Sequence, residues 1–144
     1  ADFGCGWGVL TLAAARRADP DSPFHILDHD LRALQATEMN MDQAQHAQNL
    51  PRVTPHWRDL SREDTGLTDL DWIVMNPPHH TGKARDIDLG QSFLTKAAAS
   101  LKKGGKAYIV ANRKLDYEST LQSVFRSVEM IRVENGFKIF QARR

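Results

Sequence analysis

Short apolar runs alternate with helix-patterned stretches along nearly the whole chain, which restricts it to α/β folds built on a largely parallel sheet. A first strand ends near Phe3, and a helix follows from Gly8 to Arg17 with Leu10, Leu12, Ala13 and Ala14 as its apolar surface. The Asp19-Pro20-Asp21-Ser22-Pro23 cluster stops it. Phe24 to Asp28 reads as a second strand ending on an acid, and Asp30 is placed to cap a second helix from Leu31 to Ala47. The stripe Leu31, Leu34, Glu38, Met41 and Gln45 on that helix is only partly apolar. Val53 to Trp57 is a short third strand and Asp71 to Met75 a buried fourth. Leu89 to Leu101 has a helical pattern that the Gly104-Gly105 pair is expected to end. Lys106 to Ala111 reads as a fifth strand and Tyr117 to Arg126 as a helix. Val128 to Val133 and Phe137 to Ala142 flank Glu134-Asn135-Gly136, a hairpin signal. No repeat or linker breaks the pattern, so residues 1–144 are read as a single domain.

Size and composition narrow the function. The 144 residues suffice for one hydrophobic core. Nineteen basic against eighteen acidic residues give a net charge of +1, so charge by itself does not point to nucleic acid. A single cysteine, Cys5, excludes an internal disulfide framework and a Cys-rich zinc site. No stretch reads as a signal peptide and no apolar run approaches the ~20 residues that span a bilayer, so the cytoplasm is the expected compartment and no membrane partner is expected. Ala1-Asp2-Phe3 leaves no room for the whole strand that should feed the loop after it. The sequence therefore reads as a fragment cut within its first strand.

That loop, Asp2-Phe3-Gly4-Cys5-Gly6-Trp7-Gly8, lies at a strand-to-helix junction, where glycines let the backbone approach a ligand closely. A dinucleotide fingerprint would need its third glycine at position 9, which is Val9; Gly8 makes the spacing G-x-G-x-G instead. Asp2 precedes Gly4 by two residues and suits a ligand with an ammonium group, such as the amino-acid end of S-adenosylmethionine (SAM). Asp28, twenty residues beyond Gly8, ends a strand where a carboxylate accepts hydrogen bonds from both ribose hydroxyls of an adenosine. Asp59 follows the third strand and is a candidate for the adenine amino group. Gly4, Cys5, Gly6 and Gly8 with Asp2, Asp28, Asp59 and Asn76 make up the expected cofactor site.

Met75-Asn76-Pro77-Pro78-His79-His80 follows the buried fourth strand, at the sheet edge where open α/β folds bind ligands. Two prolines remove two N–H donors and stiffen the turn, leaving the Asn76 amide and the Pro77 carbonyl as fixed acceptors. An exocyclic amine is a poor nucleophile because its lone pair is delocalised into the base. Two hydrogen bonds from its N–H groups to those acceptors would favour a tetrahedral nitrogen and aim the lone pair at a methyl donor, a gain of orientation and electrostatics. The adjacent His79 and His80 raise the question of a metal, but no Cys or Glu stands at ligand spacing, so no metal is expected.

With these residues in place the chain resembles the class I SAM-dependent methyltransferases, in motifs one (Asp2 to Gly8), two (Asp28) and four (Asn76 to Pro78). It is most similar to the bacterial ribosomal RNA guanine-N2 methyltransferases of the small-subunit type C and large-subunit type G group. Asn76-Pro77-Pro78-x-His80 with Gly82, Ile109-Val110-Ala111-Asn112-Arg113-Lys114-Leu115-Asp116-Tyr117 and Gly136-Phe137-Lys138-Ile139-Phe140 carry that likeness. The resemblance implies a seven-stranded Rossmann-like sheet with helices on both faces and an antiparallel last strand. It also implies SAM over the carboxyl ends of the strands, ribosomal RNA as partner, and a preceding domain that helps grip it. Asn76, Pro77, Pro78 and the residue at 79 would form the catalytic tetrad. An aromatic ring is usual at 79 and stacks on the target base. His79 stands there instead; an imidazole stacks over less area and titrates near pH 6.5. His80 is expected to orient the loop, and Lys83, Arg113 and Lys114 are candidate phosphate contacts.

Two other readings keep part of this picture. One retains the chemistry with a protein glutamine or a nucleic-acid adenine as acceptor, and the Ala111 to Tyr117 stretch favours ribosomal RNA over these. The other is a non-catalytic RNA-binding module, against which the intact glycine loop and Asn76 argue. Oligomeric state is not legible.

Overall fold

A computed structural model of the chain describes residues 1–78 and 84–144. In it the alternation becomes β1 (Asp2–Phe3), α1 (Val9–Ala15), β2 (Phe24–Asp28), α2 (Leu31–Gln45), β3 (Val53–Trp57), β4 (Leu70–Met75), α3 (Ala84–Ser100), β5 (Leu101–Asn112), α4 (Glu118–Val124), β6 (Ser127–Glu134) and β7 (Phe137–Arg143). The seven strands form one sheet in the order β3-β2-β1-β4-β5-β7-β6. β1 to β5 pair in parallel, whereas β7 lies antiparallel between β5 and β6. This is the expected methyltransferase-type sheet. The turn residues Asn135 and Gly136 both have positive φ, 49° and 83°, which is what a two-residue hairpin with the twist of its strands requires.

Helices cover both faces because side chains alternate across each strand. Phe24 and Ile26 of β2 pack with Ala14 and Ala15 of α1 and with Leu34 and Met41 of α2. On the other face Leu27, Ile73, Met75, Ala107 and Ile109 meet Phe93, Leu94 and Ala97 of α3 and Leu121 of α4. Two apolar assignments shift. Ala13 is exposed and Thr11 is fully buried on α1, and α2 buries Leu34, Thr37 and Met41 while Leu31 remains 49% exposed. The side of α2 carrying Thr37 faces the glycine loop, which draws the buried stripe away from Leu31.

The Gly104-Gly105 pair does not cap α3, which ends at Ser100. Both glycines lie inside β5, where Leu70 pairs with Leu101 but Trp72 pairs with Lys106. The extra residues form a bulge: Gly104 takes φ +81°, and a Cβ on Gly105 would lie 2.9 Å from the Leu70 carbonyl oxygen. α3 also starts at Ala84, earlier than its apolar pattern indicates.

α3 and α4 meet through a notch. An ideal Cβ on Gly90 would lie 1.9 Å from the Tyr117 hydroxyl oxygen and 2.5 Å from its Cζ. That hydroxyl is buried with no hydrogen-bond partner among the described residues. Gly90→Ala is therefore expected to lower stability by about 1–3 kcal/mol through overpacking. The loss should shrink in a Tyr117→Phe background, which removes the nearest atom. Urea midpoints of the four proteins test this; equal losses in both backgrounds would show that Gly90 accommodates something else.

Candidate cofactor and active site

The parallel strands end at one edge of the sheet, and the segments that follow them line a cleft of about 710 Å³. Gly4, Asp28, Asp59, Asn76 and Pro78, contributed by four different strand ends, all border it. Residues that sequence spacing separates by up to 74 positions, Gly4 to Pro78, thus share one wall. The volume falls within the roughly 300–1,000 Å³ usual for small-molecule sites.

The glycine loop is held from beneath. The Gly4 and Cys5 N–H groups donate to the Leu27 carbonyl at 2.8 and 3.1 Å. Thr37 of α2 donates to the Gly6 carbonyl at 3.0 Å, and Asn40 to that of Trp7 at 2.7 Å. Gly8 caps α1 with φ +93°, and a Cβ there would come within 3.1 Å of the Thr37 side chain. Gly4 has φ +75°, and its Cβ would reach 3.2 Å from the Phe93 ring. Glycine at these two positions serves conformation and close packing at once.

Asp28 is 9% exposed. Its Oδ2 accepts from the Gly6 N–H at 3.0 Å and its Oδ1 from the Asp30 N–H at 2.9 Å. The strand-end acid therefore clamps the glycine loop to the start of α2 while bordering the cleft. Oδ2 keeps a second lone pair free for a ligand hydroxyl, whereas Oδ1 also lies 3.3 Å from Nδ1 of the exposed His29 and offers one when that ring turns away. Asp59 borders the cleft from beyond β3; its Oδ1 accepts from the Ser61 N–H at 2.9 Å and the Ser61 hydroxyl at 2.5 Å. The Ser61 hydrogen bonds hold its pKa below the usual carboxylate value.

Asp2, Cys5, Gly6 and Gly8 do not border the cleft. Asp2 is fully buried behind the loop, with Oδ2 accepting from the Thr11 hydroxyl at 2.6 Å and Oδ1 without a partner among the described residues. Burial pushes its pKa up to about 6, against the Thr11 hydrogen bond that lowers it. The Cys5 side chain packs into the core beneath the loop with Phe24 and Leu34, and burial pushes its thiol up to about 12. Cys5 should accordingly resist alkylation by iodoacetamide in the folded protein at neutral pH and react fully in denaturant; rapid labelling of the native chain would contradict this burial.

Asn76 is exposed at the end of β4, and its carboxamide has no hydrogen-bond partner among the described residues. Pro77 behind it is buried and Pro78 half-buried. His79, His80, Gly82 and Lys83 lie outside the described residues. Arg113 and Lys114 are exposed just past β5, where the Arg113 N–H donates to the Gly136 carbonyl at 2.8 Å. The far wall consists of Leu60 and Ser61 with Leu89 and Phe93 of α3, which the sequence reading did not single out. Leu89 and Phe93 are four apart, so one helix face carries both, and that spacing was the available signal. Among the described residues no group of three or more His, Cys, Asp or Glu could hold a metal ion, and no helix is long and apolar enough to cross a membrane.

The sheet that frames this cleft is shared with known proteins. The methyltransferase small domain matches residues 1–141. The ribosomal RNA small subunit methyltransferase C of Shewanella loihica is 34% identical over 99% of this chain and 40% of its own length. That of Acinetobacter baumannii is 35% identical over 99% and 41%. The chain thus spans about two fifths of the curated relatives it matches. Among solved structures, a T. thermophilus 16S rRNA N2 methyltransferase in complex with AdoMet and guanosine has a TM-score of 0.77 and 29% identity, covering 99% of this chain and 36% of that one. TrmN from Thermus thermophilus, with a TM-score of 0.73 at 21% identity over 99% of this chain and 42% of that one, shares the fold. By its sheet, its strand-end site and the match along almost its entire length, this chain belongs to the methyltransferase small domain family.

Proposed function

We propose that this chain carries the catalytic site of a SAM-dependent N-methyltransferase acting on an exocyclic amine, guanine N2 in ribosomal RNA. The observation that carries the reading is Asn76: a carboxamide on a proline-stiffened strand end, at the cleft, with no partner among the described residues. The similar T. thermophilus enzyme, solved with AdoMet and guanosine, supports the choice of cofactor and acceptor.

The acids fit the polar ends of SAM. Asp2 Oδ1 is a buried acceptor without a donor among the described residues, a lack that costs about 1–3 kcal/mol until something supplies one. Because Asp2 lies behind the glycine loop and off the cleft, a ligand ammonium would reach it through a bridging water. Asp28 has lone pairs left for the ribose hydroxyls, and Asp59 with Leu60 and Phe93 would bound the adenine. When bound, SAM supplies an electrophilic methyl group. The Asn76 side-chain oxygen and the Pro77 carbonyl accept the two N–H groups of the target amine and direct its lone pair into the cleft. No strong base is needed, because the methylated nitrogen is acidic and releases its proton afterwards. With ribosomal RNA as its partner the protein would act in the cytoplasm.

Calorimetric titration of the chain with SAM, with NAD as control, tests the cofactor. Saturable binding of SAM alone supports the reading, and absence of SAM binding in both this chain and the full-length protein overturns it. Transfer of labelled methyl from SAM to ribosomal RNA by the full-length protein, followed by nucleoside analysis, tests the acceptor. N2-methylguanosine is expected; label on adenine or on protein would replace guanine as the substrate.

A further inference from the structure

We propose that Thr11 is a positioning residue for ligand recognition: its hydroxyl occupies Asp2 Oδ2, so that the carboxylate presents Oδ1 alone to the ammonium end of a ligand. The inference rests on the SAM reading above and adds to it a residue with no contact to the cleft.

Thr11 is the third residue of α1, within its first turn, and is fully buried, as is Asp2. A threonine inside a helix commonly turns its hydroxyl back to the carbonyl one turn earlier. This one donates instead across to β1, at 2.6 Å from Asp2 Oδ2. Among the described residues the only other group that acts on the carboxylate as a donor is the Thr11 backbone N–H, which a side-chain substitution leaves in place. The partners of Asp2 in register on the flanking strands are Ile26 and Val74, both apolar. With one oxygen engaged and the other without a partner among the described residues, the group has a defined orientation and one open acceptor.

The same bond governs charge. Burial raises the Asp2 pKa to about 6, the Asp28 carboxylate adds to the rise, and the Thr11 hydroxyl is the largest opposing influence. An ammonium is recognised by the ionised carboxylate, so affinity is full above the Asp2 transition and falls as pH drops through it. Without Thr11 the transition moves upward. Loss of one hydrogen bond to a charged group should displace it by about 1–2 pH units.

The test titrates wild type, Thr11→Val and Thr11→Ser with SAM and with 5′-methylthioadenosine, on both sides of the Asp2 transition. Methylthioadenosine keeps the adenosine and the sulfur but lacks the amino-acid end. Thr11→Val is expected to weaken SAM at neutral pH roughly tenfold, leave methylthioadenosine unchanged and move the SAM profile to higher pH. Thr11→Ser should restore both. Equal weakening of both ligands would mean that Thr11 only supports the fold, and an unaltered SAM profile would remove it from recognition; either overturns the proposal. Failure of wild type to bind SAM would instead strike the cofactor reading. Carbon NMR titration of the Asp2 carboxyl without ligand then decides the rest, since an unmoved transition in Thr11→Val overturns the proposal by itself.

Discussion

Asn76→Ala is expected to lower methyl transfer by about 10²–10³-fold, the usual consequence of deleting one preorganised hydrogen-bonding group from a transition state. SAM affinity and melting temperature should hardly change. The argument rests on what Asn76 lacks. Its side chain is exposed and bonds to no described residue, so removing it leaves no buried group unpaired among the described residues. Pro77 and Pro78 maintain the turn without it, since their rings restrict the backbone whatever the preceding side chain does. The amide is therefore available to the substrate amine, and its loss should appear in single-turnover transfer by the full-length protein. Calorimetry with SAM and thermal unfolding are the controls. A variant that melts like wild type but no longer binds SAM would move Asn76 from the acceptor side of the cleft to the cofactor side.

The parts of this architecture that were legible beforehand are those set by local chemistry. β2 and β3 begin and end where expected because prolines and acids punctuate short β-branched and aromatic runs. α2 begins where Asp30 accepts from the Arg32 N–H at 2.9 Å. The hairpin follows from Asn135-Gly136. What stayed hidden depends on distant partners. Gly104 and Gly105 carry the same signature whether they end a helix or form a bulge, and only the pairing of β4 with β5 decides. Which strand of the hairpin lies inside the sheet depends on burial of Phe140 and Ala142 against exposure of most of β6. At the site, the spacing of Gly4, Asp28 and Asn76 revealed the cleft. The Thr11 contact to Asp2 did not show, because residue 11 reads as one more helix position until the fold brings α1 against β1. The bond from Gly6 to Asp28 was hidden for the same reason.

That last bond makes Asp28→Ala the variant with the broadest expected effect. In the free protein it unpairs the N–H groups of Gly6 and Asp30, both part-buried. Losing the carboxylate should cost about 2–4 kcal/mol, lowering the melting temperature by on the order of 10 °C. On the proposed ribose role SAM should bind about 10²–10⁴-fold more weakly, since two hydrogen bonds from ribose hydroxyls to the carboxylate would be lost together with the loop geometry. Asp28→Asn separates the two contributions. It keeps one acceptor oxygen for one of the N–H groups but turns an NH₂ toward the other, and it has lost the charge that strengthens any bond from ribose. If Asp28 contacts the ribose, Asn should recover part of the melting temperature while recovering much less of the SAM affinity. If Asp28 serves only as a clamp, affinity and stability will rise in step from Ala to Asn to Asp. SAM affinity that survives in Asp28→Ala despite a lower melting temperature would leave the acid its structural role and assign the ribose to another group bordering the cleft.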